Sequence, residues 1–185
     1  ASIGEIEELD SKPPKHQQII TVQTADWDAV EGTLRRFEWN GDSWDEIGSS
    51  IEIVVGKKGM GWGVGIENYK DREGPVKKEG DLKTPKGTYK LGILYYRNDR
   101  NLICDTKLTI KKITKTMGWC NDPKNKYYNK EIKIKKSIRH EKLFRVDYKY
   151  NYLIVIEYNT EKITNFKGSA IFIHLTKDYK PTAGC

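Results

Sequence analysis

The chain lacks long apolar runs: no stretch of its 185 residues is apolar enough to span a membrane as a helix. Hydrophobic residues make up only 37%, low for a globular protein. Any core must therefore draw on the 5 tryptophans and 11 tyrosines. Helical periodicity is almost absent and no internal repeat stands out, which leaves a mainly β reading. Zinc-finger spacing and RNA-binding signatures are missing. Histidine is scarce, with three residues at positions 16, 140 and 174. Cysteine is scarce and odd in number: Cys104, Cys120 and Cys185. Three thiols leave at least one free or paired between molecules, even if two join.

Charge is plentiful. Charged residues make up 32% of the chain and the formal net charge is +7. A basic domain favours polyanions, either nucleic acid or a polymer rich in carboxylates. The lysines are spread out except in KKITK and KEIKIKK. That distribution suits solvated strand faces better than a nucleic-acid groove, so nucleic acid ranks low.

The length suits one domain with a sizeable core. Residues 1–16 are polar, acidic and end near a Pro-Pro pair, so they read as a tail or linker before a domain over 17–185. The chain opens without methionine or an apolar signal core, and the expectation is that any export signal lies outside it. QQIITVQT reads as a first strand. A short helix or turn near 26–31 is followed by a hairpin, TLRRFEW and SWDEIG joined at Asn40-Gly41-Asp42. SIEIVVG is the next strand. The glycines at 59, 61, 63 and 65 imply a close backbone approach or a bulged turn. They make a poor phosphate loop, since no Lys-Ser/Thr pair follows. Two turns are predicted at Glu79-Gly80-Asp81 and Thr84-Pro85-Lys86-Gly87. Further strands are predicted in TYKLGILYY, KLTIKKIT, KEIKIKKS, YLIVIEYN and SAIFIHL.

The last of these carries the chemistry. His174 shares strand parity with Phe172 and Ala170. A histidine so placed is ordinarily a core residue with satisfied hydrogen bonds. Cys185, preceded by Gly184, changes the balance, because the loop KDYKPTAG can return it to the strand end that holds His174. An imidazole beside a thiol can take its proton and so activate a nucleophile. Gly184 would let backbone amides approach an oxyanion, and Thr182 could orient the turn. His16 falls in the tail, and His140 is expected at the surface.

GSAIFIHLTKDYKPTAGC resembles the signature of the L,D-transpeptidase catalytic domain, the YkuD-type family. That pattern is a strand-borne histidine, here His174, then Ser/Thr-x-Gly-Cys, here Thr182-Ala183-Gly184-Cys185. VVGKKGMGWGVG, VKKEGDLKTPKGTYKLG, MGWCNDPKNKYYN and YLIVIEYN resemble other family segments in family order, across residues 17–185. Asn121 stands where an acid is common, Ala183 where some branches have a second histidine, and Leu175 where many have glycine.

The resemblance implies a mainly β, mixed sandwich or barrel-like fold with a few short helices. It implies a periplasmic or wall-associated enzyme acting on peptidoglycan stem peptides, with no metal or organic cofactor. Cys185 would attack at the third stem residue, His174 would be general base, and Gly184 and Thr182 would support the oxyanion and the turn. An amine acceptor would give a 3-3 cross-link; water would give a tripeptide, the L,D-carboxypeptidase outcome. Lys78, Arg145 and His140 are candidates for contacting carboxylates, though plain surface charge is the simpler reading. Tyr127, Tyr128 and Asn129 either line the cleft or pack the sheet. A Cys104–Cys120 disulfide would suit the periplasm. Family members continue past the cysteine, so the chain is expected to be a fragment. Two rival readings stay open: a wall-binding module without turnover, and a basic nucleic-acid-binding β domain.

Overall fold

The computed structural model describes residues 17–63, 73–102 and 104–185. The described residues form thirteen strands and one short 3-10 turn, Tyr148–Tyr150. That turn is all the helix they contain. The tail over 1–16, His16 and Gly65 lie outside the described residues.

The first sheet is antiparallel. β1 (Gln18–Thr24) pairs along β2 (Glu31–Trp39), whose other edge takes β3 (Trp44–Glu46) and β4 (Ile51–Val54). The Asn40 hairpin is as read, with Asn40 Oδ1 accepting from the Asp42 and Ser43 amides at 2.9 Å. Residues 26–29 form a turn and no helix. Asp26 Oδ1 accepts from the Asp28 and Ala29 amides at 2.9 and 2.7 Å, giving the backbone a local alternative to helix.

β5 (Met60–Trp62) runs parallel to β6 (Thr84–Lys86). The second predicted turn is thus a short strand. Pro85 is tolerated there because the ladder draws on its neighbours: the Thr84 amide donates to Gly59, and the Gly63 amide donates to Lys86. Gly59 has φ +72°, and a Cβ there would sit 1.9 Å from the Trp27 carbonyl oxygen. The close backbone approach read from the glycine repeat is found at this position.

The central sheet has β7 (Leu91–Arg97) between β8 (Ile110–Ile113) and β12 (Tyr152–Ile156), with β13 (Phe172–His174) on the β12 edge. Leu153 and Val155 are buried while 152, 154 and 156 are only half-buried, the alternation of a strand with one core face. Register puts Tyr95, Leu153 and His174 on that face, followed by Val155 and Phe172.

Across the core lies a smaller sheet, β9 (Met117–Cys120) flanked by β10 (Glu131–Lys133) and β11 (His140–Lys142). Trp119 meets Tyr95 and Phe172 edge-on, with centroids 6.4 and 5.3 Å apart. Ile113, Leu143 and Tyr150 complete the core, and Cys185 packs against it. Barrel-like closure is not found, because the described strands form four separate sheets. Nor is the disulfide: Cys120 is fully buried in β9, Cys104 is exposed, and both thiols are free.

Candidate active site

His174 ends β13, opposite Leu153. Its Nδ1 lies 2.8 Å from the Leu175 carbonyl oxygen. A carbonyl only accepts, so Nδ1 carries the proton and Nε2 keeps its lone pair. Tyr150 packs edge-on against the imidazole at 5.1 Å and also meets Phe172. Burial lowers the His174 pKa below its ordinary value. The Leu175 hydrogen bond and Glu141 oppose that shift, while Lys149 and Arg145 reinforce it. The imidazole is therefore neutral at neutral pH.

Cys185 reaches the same cleft from another direction. Its segment is clamped to the end of β4: the Thr182 amide donates to Val55 and the Lys57 amide donates to Thr182, both at 2.9 Å. Two hydroxyls then fix the cysteine backbone. Thr84 Oγ1 and Thr182 Oγ1 each donate to the Cys185 carbonyl oxygen at 2.7 Å. Thr84 Oγ1 in turn accepts from the Gly56 amide at 2.9 Å. Gly184 has φ +132°, and a Cβ there would press on the Lys83 carbonyl at 3.1 Å, so this bend suits glycine. The Gly184 amide donates to Thr182 Oγ1 at 3.1 Å, so it is already committed. Among the described residues the Cys185 amide carries no hydrogen bond, which leaves it the freer donor for an oxyanion.

The thiol donates to the Ala170 carbonyl oxygen at 3.3 Å. Burial pushes its pKa up to about 12, with Glu141 adding to the shift and the Phe172 backbone and the Lys77 ammonium opposing it. Cysteine and histidine thus rest as a neutral pair in one cleft of about 490 Å³, without a hydrogen bond between them.

The loop under the thiol is held from below. Ala170 has φ +55° and its amide donates to Asn129 Oδ1 at 3.0 Å. Tyr128 accepts from the Gly168 amide and donates to Glu79, which also accepts from Ser169 at 2.8 Å. Tyr128 and Asn129 are therefore buried supports beneath the site, and Tyr127 is exposed. Of the three candidate carboxylate contacts, Arg145 lines the cleft. Lys78 is exposed outside it, and His140 sits in β11 with Nδ1 against the Ile138 carbonyl.

Sequence reading missed Lys77, Glu141 and Tyr150. The first had a signal in the Lys-Glu-Gly-Asp segment, one residue from the lysine chosen. Lys57 and Lys180 also line the cleft, and Lys149 lines it within electrostatic reach of the Asp147 carboxylate. No cluster of three or more His, Cys, Asp or Glu side chains among the described residues could hold a metal ion.

No curated protein and no solved structure matches the chain. A family model does match, that of the L,D-transpeptidase catalytic domain (YkuD), over residues 23–185. A strand-borne histidine and a Gly-Cys bend opening on one cleft agree with that match, and the chain belongs to the L,D-transpeptidase catalytic-domain family.

Proposed function

We propose that this protein is a peptidoglycan L,D-transpeptidase with Cys185 as nucleophile and His174 as general base. The observation that carries the reading is the shared cleft, lined by both Cys185 and an imidazole whose Nδ1 is tied down and whose Nε2 can accept a proton. Because the pair rests neutral, proton transfer accompanies attack. Nε2 takes the thiol proton as Sγ bonds to the carbonyl carbon of the third stem residue. The oxyanion forms against the Cys185 amide. The carbon–nitrogen bond then breaks, and the imidazolium returns its proton to the departing D-amino acid. An amine from a second stem attacks the thioester, giving the 3-3 cross-link and the free thiol.

Lys57, Lys149 and Lys180 give the cleft a positive rim, which supports an anionic substrate such as stem peptides with free carboxylates. The site of action that follows is the periplasm or wall. The test is a purified tetrapeptide muropeptide incubated with the protein and with Cys185→Ala, read by mass spectrometry. Cross-linked dimers that require Cys185 are the expected result. Cys185-dependent tripeptide alone would assign L,D-carboxypeptidase instead, and substrate bound without any product would make the protein a binding module.

A further inference from the structure

Lys77 is only 3% exposed, in a protein whose other lysines are mostly solvated. Burying an ammonium costs several kcal/mol unless it is paired and hydrogen-bonded. Its Nζ donates to Asp81 Oδ1 at 2.5 Å and to the Lys78 carbonyl at 2.9 Å. An ammonium has three donors, and these contacts use two. Asp81 is heavily engaged elsewhere: it also accepts from the Lys78 and Lys83 amides at 2.7 and 2.9 Å. It therefore holds the turn together as well as facing Lys77.

The lysine is also aimed. A Cβ built on Gly184 would lie 3.7 Å from Nζ, and one on Gly168 would lie 3.0 Å from Cε. The ammonium thus sits between the glycine before Cys185 and the loop that leads to Ala170, and it lines the cleft.

We infer that Lys77 is a positioning residue for the nucleophile: its buried charge favours the Cys185 thiolate over the thiol. The inference rests on the reading of Cys185 as nucleophile. Lys77 is the cation that opposes burial and Glu141 in setting the state of that thiol. The other charged or titratable groups lining the same cleft are Lys57 beyond β4, Glu79 in the turn after Lys77, Arg139 before β11, Arg145 after it, Lys149 and Tyr150 on the 3-10 turn, His174 on β13 and Lys180 in the preceding loop.

The experiment measures iodoacetamide alkylation of Cys185 against pH, resolved by peptide mass spectrometry because Cys104 is exposed and will also react. At a fixed mildly alkaline pH, Lys77→Met should react roughly tenfold more slowly or worse, equivalent to one unit of thiol pKa. Lys77→Arg should stay near wild type. Asp81→Asn removes the anion that partly cancels the ammonium, so it should react faster. A Lys77→Met profile superimposed on wild type, with unchanged circular dichroism, would overturn the inference. Should Lys77→Met not fold, Asp81→Asn decides alone: an unchanged or slower rate overturns it. Alkylation needs no substrate, so these outcomes are independent of whether transpeptidation is observed.

Discussion

At His174 and Cys185, burial acts on both groups in the direction of neutrality, and the signs fix the pH behaviour. Burial, with Lys149 and Arg145, disfavours the imidazolium, so His174 takes up a proton only below the ordinary histidine value. The acid limb of kcat/KM for muropeptide turnover should therefore fall below about pH 6.5. Lys149→Gln removes one of the disfavouring charges and should move that limb upward. An acid limb above the ordinary histidine value in wild type would refute the neutral-imidazole arrangement. Folding follows the same sign. Stability is fully present above the unfolded-state value and declines as pH falls through it, because the unfolded chain binds that proton first. For Cys185 the sign reverses: stability holds below the ordinary thiol value and declines as pH rises past it, toward the raised folded value.

Between elements, one amide side chain joins the loop beneath the thiol to two other segments. Asn129 Oδ1 accepts from Trp119 Nε1 at 2.9 Å and from the Ala170 amide at 3.0 Å; its Nδ2 donates to the Tyr158 and Asn159 carbonyls at 3.0 and 2.8 Å. It thereby ties β9, the segment after β12 and the loop before β13. Asn129→Ala leaves four buried polar groups without this partner, at about 1–3 kcal/mol for each that finds no other. We expect at least about 3 kcal/mol of lost stability in urea denaturation, with little change for exposed Tyr127→Ala. A loss below about 1 kcal/mol would mean the loop is held by its other contacts.

Sequence alone could not single out that role, because Asn129 stands among Tyr and Asn residues equally suited to a turn. The strands it did reveal, such as YLIVIEYN, alternate between core and the other face. β9 stayed hidden because all four of its residues are buried, which erases the alternation. β11 stayed hidden because His-Glu-Lys carries no apolar signal, and its place comes from backbone pairing to β9. The Thr-Pro-Lys-Gly stretch looked like a turn because proline and glycine mark turns, whereas parallel pairing to β5 makes it a strand. His174 and Cys185, the proposed base and nucleophile, were picked out by a local motif. Lys77 was not: its burial depends on a turn and two loops that meet only in the folded chain, and a lysine beside Lys78 gives no hint which of the two turns inward.

Over the whole molecule the question is whether the net charge of +7 or its placement governs substrate capture. Long-range attraction depends on total charge and is screened within about 10 Å at 0.1 M salt. Contacts inside a cleft are screened less and depend on which cations are there. Lys57, Lys149 and Lys180 approach the cleft from the segment after β4, the 3-10 turn and the loop before Cys185. Lys112, Lys115 and Lys133 are exposed on β8, the turn after it and β10, and line no part of it. Two triple Lys→Gln variants, one per set, remove the same charge from different places. Binding of a soluble anionic muropeptide, followed by calorimetry across a salt series, should weaken in both through the shared long-range component. Only the cleft variant should lose the further affinity that persists at high salt, roughly tenfold if the three contacts together contribute about 1.4 kcal/mol. Equal losses in the two variants would show that the protein finds its substrate by overall charge, and that the rim of the cleft adds no recognition of its own.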